Sequence, residues 1–377
     1  MTQVIPTEEN SAVLFVAFEL SASSWKLAVG IGGKRVREVK LEAGDLEGLA
    51  EELVAEKKRF GLAEDAQVVS CYEAGRDGFW LHRYLTGLGI RNVVVDSSSI
   101  EVDRRARRAK TDRLDARRLL GMLARYYGGD EDVWSVVRVP TVGDEDRRRA
   151  HREIERLKSE KTGHTNRIRG LLSLHGVRLG AITDSLAALL DSTRLYDGSA
   201  LPAELRAELV REHERLVLVR RQLREMEQTR LARVKEQAPC DGKVSSLMKL
   251  KGVGINCAWV LGHELFGWRK FQNRRQIAGC VGLTPTPFQS GDSSRDQGIS
   301  KSGNPRVRTL LIEIAWGWLR WQPATALSKW FMTKFGAGPG RMRRIGIVAL
   351  ARRLLIALWR FVEQGIVPEG AVLKAEG

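Results

Sequence analysis

Four carboxylates in the first third of a strongly basic chain, Glu19, Glu73, Asp112 and Asp115, are the side chains best suited by type and spacing to do chemistry. Clustered acids cost free energy unless they hold something positive. Magnesium, or manganese in its place, meets that need, because hard oxygen donors suit it and it supports phosphodiester cleavage and transfer. Glu19 and Glu73 are expected to end β-strands. Asp112 and Asp115 stand three apart on an expected helix and so share a face. If the two strands are neighbours, all four acids can converge on one point. Around the aspartates, eight basic residues stand against two acids between Arg104 and Arg118. An ordinary salt-bridged helix mixes its signs more evenly. Arg104, Arg105, Arg107, Arg108, Lys110 and Arg113 are therefore candidates to grip phosphates beside the metal.

A second candidate lies in a Gly/Ser/Thr-rich segment, residues 282–304, which is too polar for core and too long for a simple turn. Gln289-Ser290-Gly291 places a serine there, with Ser293, Ser294, Ser300 and Ser302 as competitors. No histidine is near enough in sequence to act as base, so a hydrolase-type triad is not supported. A metal ion or a phosphate-facing cation could activate the hydroxyl instead. Arg295, Lys301, Arg306 and Arg308 surround the segment and suit a phosphate-facing loop. Upstream, Lys251-Gly252-Val253-Gly254 between helical stretches suggests a helix-hairpin-helix. Gly252 and Gly254 there would let backbone amides approach a phosphate, beside Lys251. Trp316, Trp318, Trp321, Trp330 and Trp359 read as core more than as base-stacking platforms. His164 and His213 read as packing details.

The elements that must position these residues fall into three parts. Apolar runs at 11–20, 25–31, 35–41, 68–72 and 92–95 alternate with helical patterns at 46–54, 77–88 and from 111. Their order, β-β-β-α-β-α-β-α, predicts a mixed sheet covered by helices, with Asp45 as the cap of the first helix. From Asp144 the pattern becomes long helix. One seam runs through Ile154, Leu157, Lys161, His164 and Ile168, and a second through Leu209, Glu212, Leu216, Val219 and Leu223. They form either a helical hairpin in one chain or an oligomerising coiled coil. The fold class is thus α/β followed by α, with expected domains at 11–130, 144–236 and 240–365.

Composition sets the outer limits. The 377 residues hold 62 Lys and Arg against 46 Asp and Glu, a net charge of +16. Such a surplus favours a polyanion, and nucleic acid fits better than a membrane surface. The first ten residues carry acids and no basic stretch, so no secretory signal is expected. Apolar spans near the C-terminus are broken by Glu313, Arg320, Arg352 and Arg353, which speaks against membrane helices. Cys71, Cys240, Cys257 and Cys280 lack metal-ligand or disulfide spacing, which suits a reducing cytoplasm; with the basic charge, a nucleoid-associated protein is expected there.

Several stretches together resemble the DEDD-type insertion-sequence transposases of the "one-ten" family, which includes the pilin-gene invertases. They are Val16-Ala17-Phe18-Glu19-Leu20-Ser21, Tyr72-Glu73-Ala74, Lys110-Thr111-Asp112-Arg113-Leu114-Asp115-Ala116-Arg117 and Leu250-Lys251-Gly252-Val253-Gly254. Gly282-Leu283-Thr284-Pro285, Gln289-Ser290-Gly291 and Ile299-Ser300-Lys301-Ser302-Gly303-Asn304 complete the order. The resemblance implies a RuvC-like, ribonuclease-H-like N-terminal domain whose acids bind magnesium, a coiled-coil region, and a C-terminal domain with a nucleophilic serine. Glu73, Asp112 and Asp115 match metal-ligand positions, and Ser290 matches the serine. It further implies double-stranded DNA and a structured guide RNA as partners, and dimers or tetramers with composite sites. The family's first acid is usually aspartate. Glu19 keeps the charge there but adds a methylene.

Overall fold

The computed structural model describes residues 13–32, 35–75, 77–100, 112–236, 242–290 and 293–374, with side chains at all of these except 98, 112–115, 287–290 and 293–297. The chain divides into two compact units, Met1–Pro140 and Thr141–Gly377.

The first unit is a five-stranded mixed sheet. β1 (Leu14–Leu20), β2 (Ser24–Gly30) and β3 (Val36–Glu42) form an antiparallel meander, and β4 (Val68–Glu73) and β5 (Arg91–Val95) add in parallel on the other side of β1. The order across the sheet is β3-β2-β1-β4-β5. Alternation along β1 explains its central place: Leu14, Val16 and Phe18 face one layer, Phe15 and Ala17 the other. The first layer receives α1 (Leu46–Arg59) and α2 (Trp80–Gly87) through Leu49, Leu53, Leu81 and Leu85. As expected, Asp45 caps α1, accepting from Gly48 N at 2.8 Å. The second layer receives α3 (Asp112–Tyr127) through Ala116, Leu119, Leu120 and Leu123.

The second unit begins with α4 (Val142–Ser173), whose start is fixed by a reciprocal capping box between Thr141 and Asp144. The short α5 (Leu186–Ser192) follows. With α6 (Ala203–Lys235), α4 forms a helical hairpin inside one chain, packed through Ile154, Leu157, Val219 and Leu223. The polar interruptions of the two seams meet: His164 Nδ1 lies 2.7 Å from Glu212 Oε1. Then follow α7 (Gly242–Met248), α8 (Ile255–Leu261), a π-helical turn (Gly262–Phe266) and α9 (Arg274–Cys280). A two-stranded hairpin, β6 (Pro285–Ser290) and β7 (Ser293–Ile299), precedes α10 (Pro305–Trp321), α11 (Ala326–Phe331) and α12 (Gly340–Gln364). Trp259, Leu311, Trp318 and Leu354 centre their common core. Among the described residues no helix is long and apolar enough to cross a membrane.

Candidate active site

The parallel register of β1 and β4 aligns Phe18 with Tyr72, so the next residues, Glu19 and Glu73, stand side by side. Neighbouring strands lie roughly 4.8 Å apart, and residues aligned in register point to one face. That face carries Ala17 and Cys71 and is the one covered by α3. Glu19 is half-buried and Glu73 exposed. Across from Glu19 on β2, and in turn on β3, stand Lys26 and Lys40.

The helix α3, which begins at Asp112, crosses this same face. Tyr127, at the C-terminal end of α3, packs on Phe15 with ring centroids 5.5 Å apart, and its hydroxyl meets Gln67 just before β4. Ten residues earlier, Arg117 pairs with Glu38, which lies in the same cross-sheet row as Ala17. The helix therefore runs antiparallel to β1. The start of α3 thus lies toward the sheet end that carries Glu19 and Glu73. The side chains of Asp112 and Asp115 lie outside the described residues. Among the described residues there is no group of three or more His, Cys, Asp or Glu able to hold a metal.

Ser290 lies in the second unit, at the far end of the β6–β7 hairpin, where it pairs with Ser293. Its side chain is likewise outside the described residues. This hairpin was not expected. Its strands lack the apolar alternation that marks a half-buried sheet, and Pro285 and Pro287 frame an irregularity in register. The described residues at its root explain the motifs that flank it. Gly282 (φ 67°) and Gly303 (φ 83°) sit where chain segments cross: a Cβ would stand 2.0 Å from Ser302 O in the first and 2.2 Å from Cys280 O in the second. Only glycine fits both places. Lys301 N donates to Gly282 O and Asn304 N to Cys280 O, closing the crossing.

Beneath this root lies a buried carboxylate that sequence reasoning missed. Glu264, on the π-helical turn and 2% exposed, accepts from Arg152 through both oxygens at 2.8 and 3.0 Å, and from Asn304 Nδ2 at 3.1 Å. His151 Nε2 lies 2.8 Å from the same carboxylate. Burial alone would raise its pKa, but the hydrogen bonds from His151 and Arg152 overcome that and bring it to about 2. Asn304 accepts in turn from Arg306 N and Val307 N, so one side chain caps α10 and ties the end of the hairpin motif to Glu264. Next door, burial and the positive charge of its neighbours hold His263 down to about 4.

The chain is similar to known proteins over this region and beyond. Residues 244–329 match the family described as "Transposase IS116/IS110/IS902 family", a stretch that includes the serine hairpin and its root. The protein named "Putative transposase y4rJ" of Sinorhizobium fredii is 42% identical, over 96% of this chain and 94% of its own length. This chain belongs to the IS110/IS116/IS902 transposase family. It is therefore a DNA-processing enzyme. It is also similar to "Putative transposase y4qE" of the same organism, 30% identical over 67% of this chain and 59% of that protein. The "Transposase for insertion sequence element IS1111A" of Coxiella burnetii is 25% identical over 63% of this chain and 62% of its own length.

Of the transposase's candidate phosphate contacts, Arg104, Arg105, Arg107, Arg108 and Lys110 lie outside the described residues, as do the side chains of Arg113 and Arg295. Arg306 turns inward, paired with Glu155 and 3.8 Å from Glu264. Arg308 also turns inward, donating to Val281 O at 3.0 Å. Gly252 (φ 88°) is explained by packing, since a Cβ there would stand 2.8 Å from Trp321 Cβ. Gly254 faces open space and caps α8. Lys251 is exposed, its backbone amide bonded to Val372 O. Lys301 is exposed and held at φ 58°, a left-handed conformation that side-chain-bearing residues avoid. Lys26 was also missed from sequence. Only the strand register, placing it opposite Glu19, brings it to the acids.

Proposed function

We propose that this transposase is a magnesium-dependent recombinase that cuts and rejoins DNA at its element's ends and at a target, with Ser290 as nucleophile. The observation that carries the reading is the register that sets Glu19 beside Glu73 on the sheet face that α3 covers. The strand order and the helix laid across β1 support a ribonuclease-H-like, RuvC-like domain in the first unit. Glu19, Glu73, Asp112 and Asp115 would hold the ion. A donor set made only of carboxylate oxygens fits magnesium or manganese and not a thiophilic metal. When bound, the ion supplies Lewis-acid polarisation of the phosphate. Glutamate at 19 reaches one methylene further than aspartate, and its central strand fixes where that longer arm begins.

In the transfer step Ser290 Oγ attacks phosphorus and gives up its proton to solvent. The bond from phosphorus to the departing DNA oxygen breaks, and that oxygen takes a proton to become a free hydroxyl. A second DNA hydroxyl then attacks the serine–phosphate ester, restoring both the phosphodiester and Ser290. Bonds broken and formed are equivalent, so no external energy source is needed. Charge of +16 suits the polyanionic partners, double-stranded DNA and a structured guide RNA. We further propose that the enzyme works as a homodimer or homotetramer in the cytoplasm, with a metal-binding part at 11–130, a helical part at 144–236 and a serine-bearing part at 240–365.

The test is incubation of the full chain with element-end DNA, its RNA and magnesium, followed by a denaturing gel. A covalent protein–DNA adduct that disappears in Ser290→Ala is expected. Strand exchange by Ser290→Ala would refute the serine assignment. Cutting without any adduct would point to water as the nucleophile and to a metal-dependent endonuclease.

A further inference from the structure

The second unit holds a groove of about 1170 Å³ between the root of the β6–β7 hairpin, α9, α11 and the outer face of α12. Eight of its nineteen lining residues are Arg or Lys and none is Asp or Glu, a balance that ordinary salt-bridged surface does not show. Arg341, Arg344, Arg352 and Arg360 come from one side of α12, the side turned away from the core helices. Among the described residues none of the eight is ion-paired. Between the cations the floor is apolar: Leu283, Leu327, Ile345, Val348 and Ile356, with Trp330 held flat by the Arg353 guanidinium 4.0 Å from its ring centroid. Lys301, in its left-handed conformation, and Pro285 and Ile299 at the hairpin root close one end.

We propose that this groove binds an unpaired DNA strand, its arginines taking phosphates and its apolar floor taking unstacked bases. A duplex presents phosphates and keeps its bases inside, leaving an apolar floor unused. A separated strand satisfies both surfaces at once, because every base has an apolar face. The groove ends at the root of the hairpin whose far end carries Ser290, so a strand lying in it meets the element that bears the serine. The inference rests on the reading of DNA as substrate, and it adds that the DNA is locally melted at the base of the serine hairpin.

The experiment is binding rather than catalysis. Fluorescence anisotropy of the full chain with labelled unpaired DNA, matched duplex and matched RNA is measured against salt for the native chain, Arg352→Ala/Arg360→Ala and Ile345→Glu. Losing two phosphate contacts should weaken unpaired DNA about tenfold or more and reduce the salt slope by about 1.4, at about 0.7 per phosphate on a single strand. Ile345→Glu, at a position already half exposed, should weaken unpaired DNA and leave the duplex unchanged. Bromodeoxyuridine photo-crosslinks from the unpaired strand should map to the peptides holding Trp330 or α12. Unchanged binding of unpaired DNA, a loss confined to duplex or to RNA, or crosslinks mapping elsewhere would overturn the proposal. So would groove variants that change only the oligomeric state. Failure of the serine reading is separable, because Ser290→Ala should bind unpaired DNA like the native chain while forming no adduct.

Discussion

Along the α4–α6 hairpin the cations have acids at close range. Lys158 lies 3.2 Å from Glu227, Arg167 2.5 Å from Glu208, and Arg152 spans both oxygens of Glu264. Along the outer face of α12, no acid answers Arg341, Arg344, Arg352 or Arg360 among the described residues. Both helical surfaces read as basic in sequence, yet their charges differ in use. Where the chain supplies its own counter-ions, the arginines serve packing and register. Where it withholds them, the charge is available to a polyanion from outside.

The comparison can be broken most severely at Glu264. Replacing it with Gln leaves Arg152 and His151 facing a neutral partner in a buried site. The second unit should lose about 3–5 kcal/mol, read by urea unfolding, the usual result of removing one member of a buried pair. Affinity for unpaired DNA, measured where the protein is still folded, should not change. A loss of affinity without a loss of stability would erase the distinction between the two surfaces.

Acid should act on the same neighbourhood. His263 is held down to about 4 in the folded chain from an ordinary 6.5, so the unfolded chain binds more protons between those values. Its contribution is complete above pH 6.5 and is lost as pH falls toward 4, amounting to roughly 1–3 kcal/mol. Glu264, brought to about 2 from 4.5, adds a second decline below pH 4.5. Unfolding curves from pH 7.5 to 3 should therefore shift in two stages, and a stability independent of pH over that range would contradict the assignment. Arg352→Ala/Arg360→Ala sharpens the contrast from the other side. Its unfolding midpoint should stay within about 0.5 kcal/mol of the native value, because these side chains pair with no acid among the described residues. The smallest effect is expected at Lys158→Ala, an exposed pair worth roughly 0–1 kcal/mol with no consequence for DNA binding.

Much of the first unit was legible in sequence because each strand declares a face: Val16 and Phe18 against Phe15 and Ala17 leave little choice of register. That Glu19 and Glu73 would share a site was conditional on their strands being neighbours, and the parallel β1–β4 pairing supplies that. The serine hairpin was not legible, since strands that pair only with each other need no apolar face. Glu264 sits within Leu261-Gly262-His263-Glu264-Leu265-Phe266, and its partners Arg152 and Asn304 are distant in sequence, so nothing local marked it. The α12 groove was hidden for a different reason. Arginines interleaved with Ile345, Val348 and Ile356 read as an amphipathic surface helix, and only the packed core shows that this second apolar stripe is left over.

The claim on which the rest depends is that acids from two strands and one helix form a single cation site. Isothermal calorimetry of manganese binding tests it directly on the native chain, Glu19→Gln, Glu73→Gln and Asp112→Asn. Saturable binding by the native chain, lost in all three variants and retained in Glu19→Asp, is the expected result. Binding that survives in any of the three, or a native chain that takes up no manganese, would contradict the shared site.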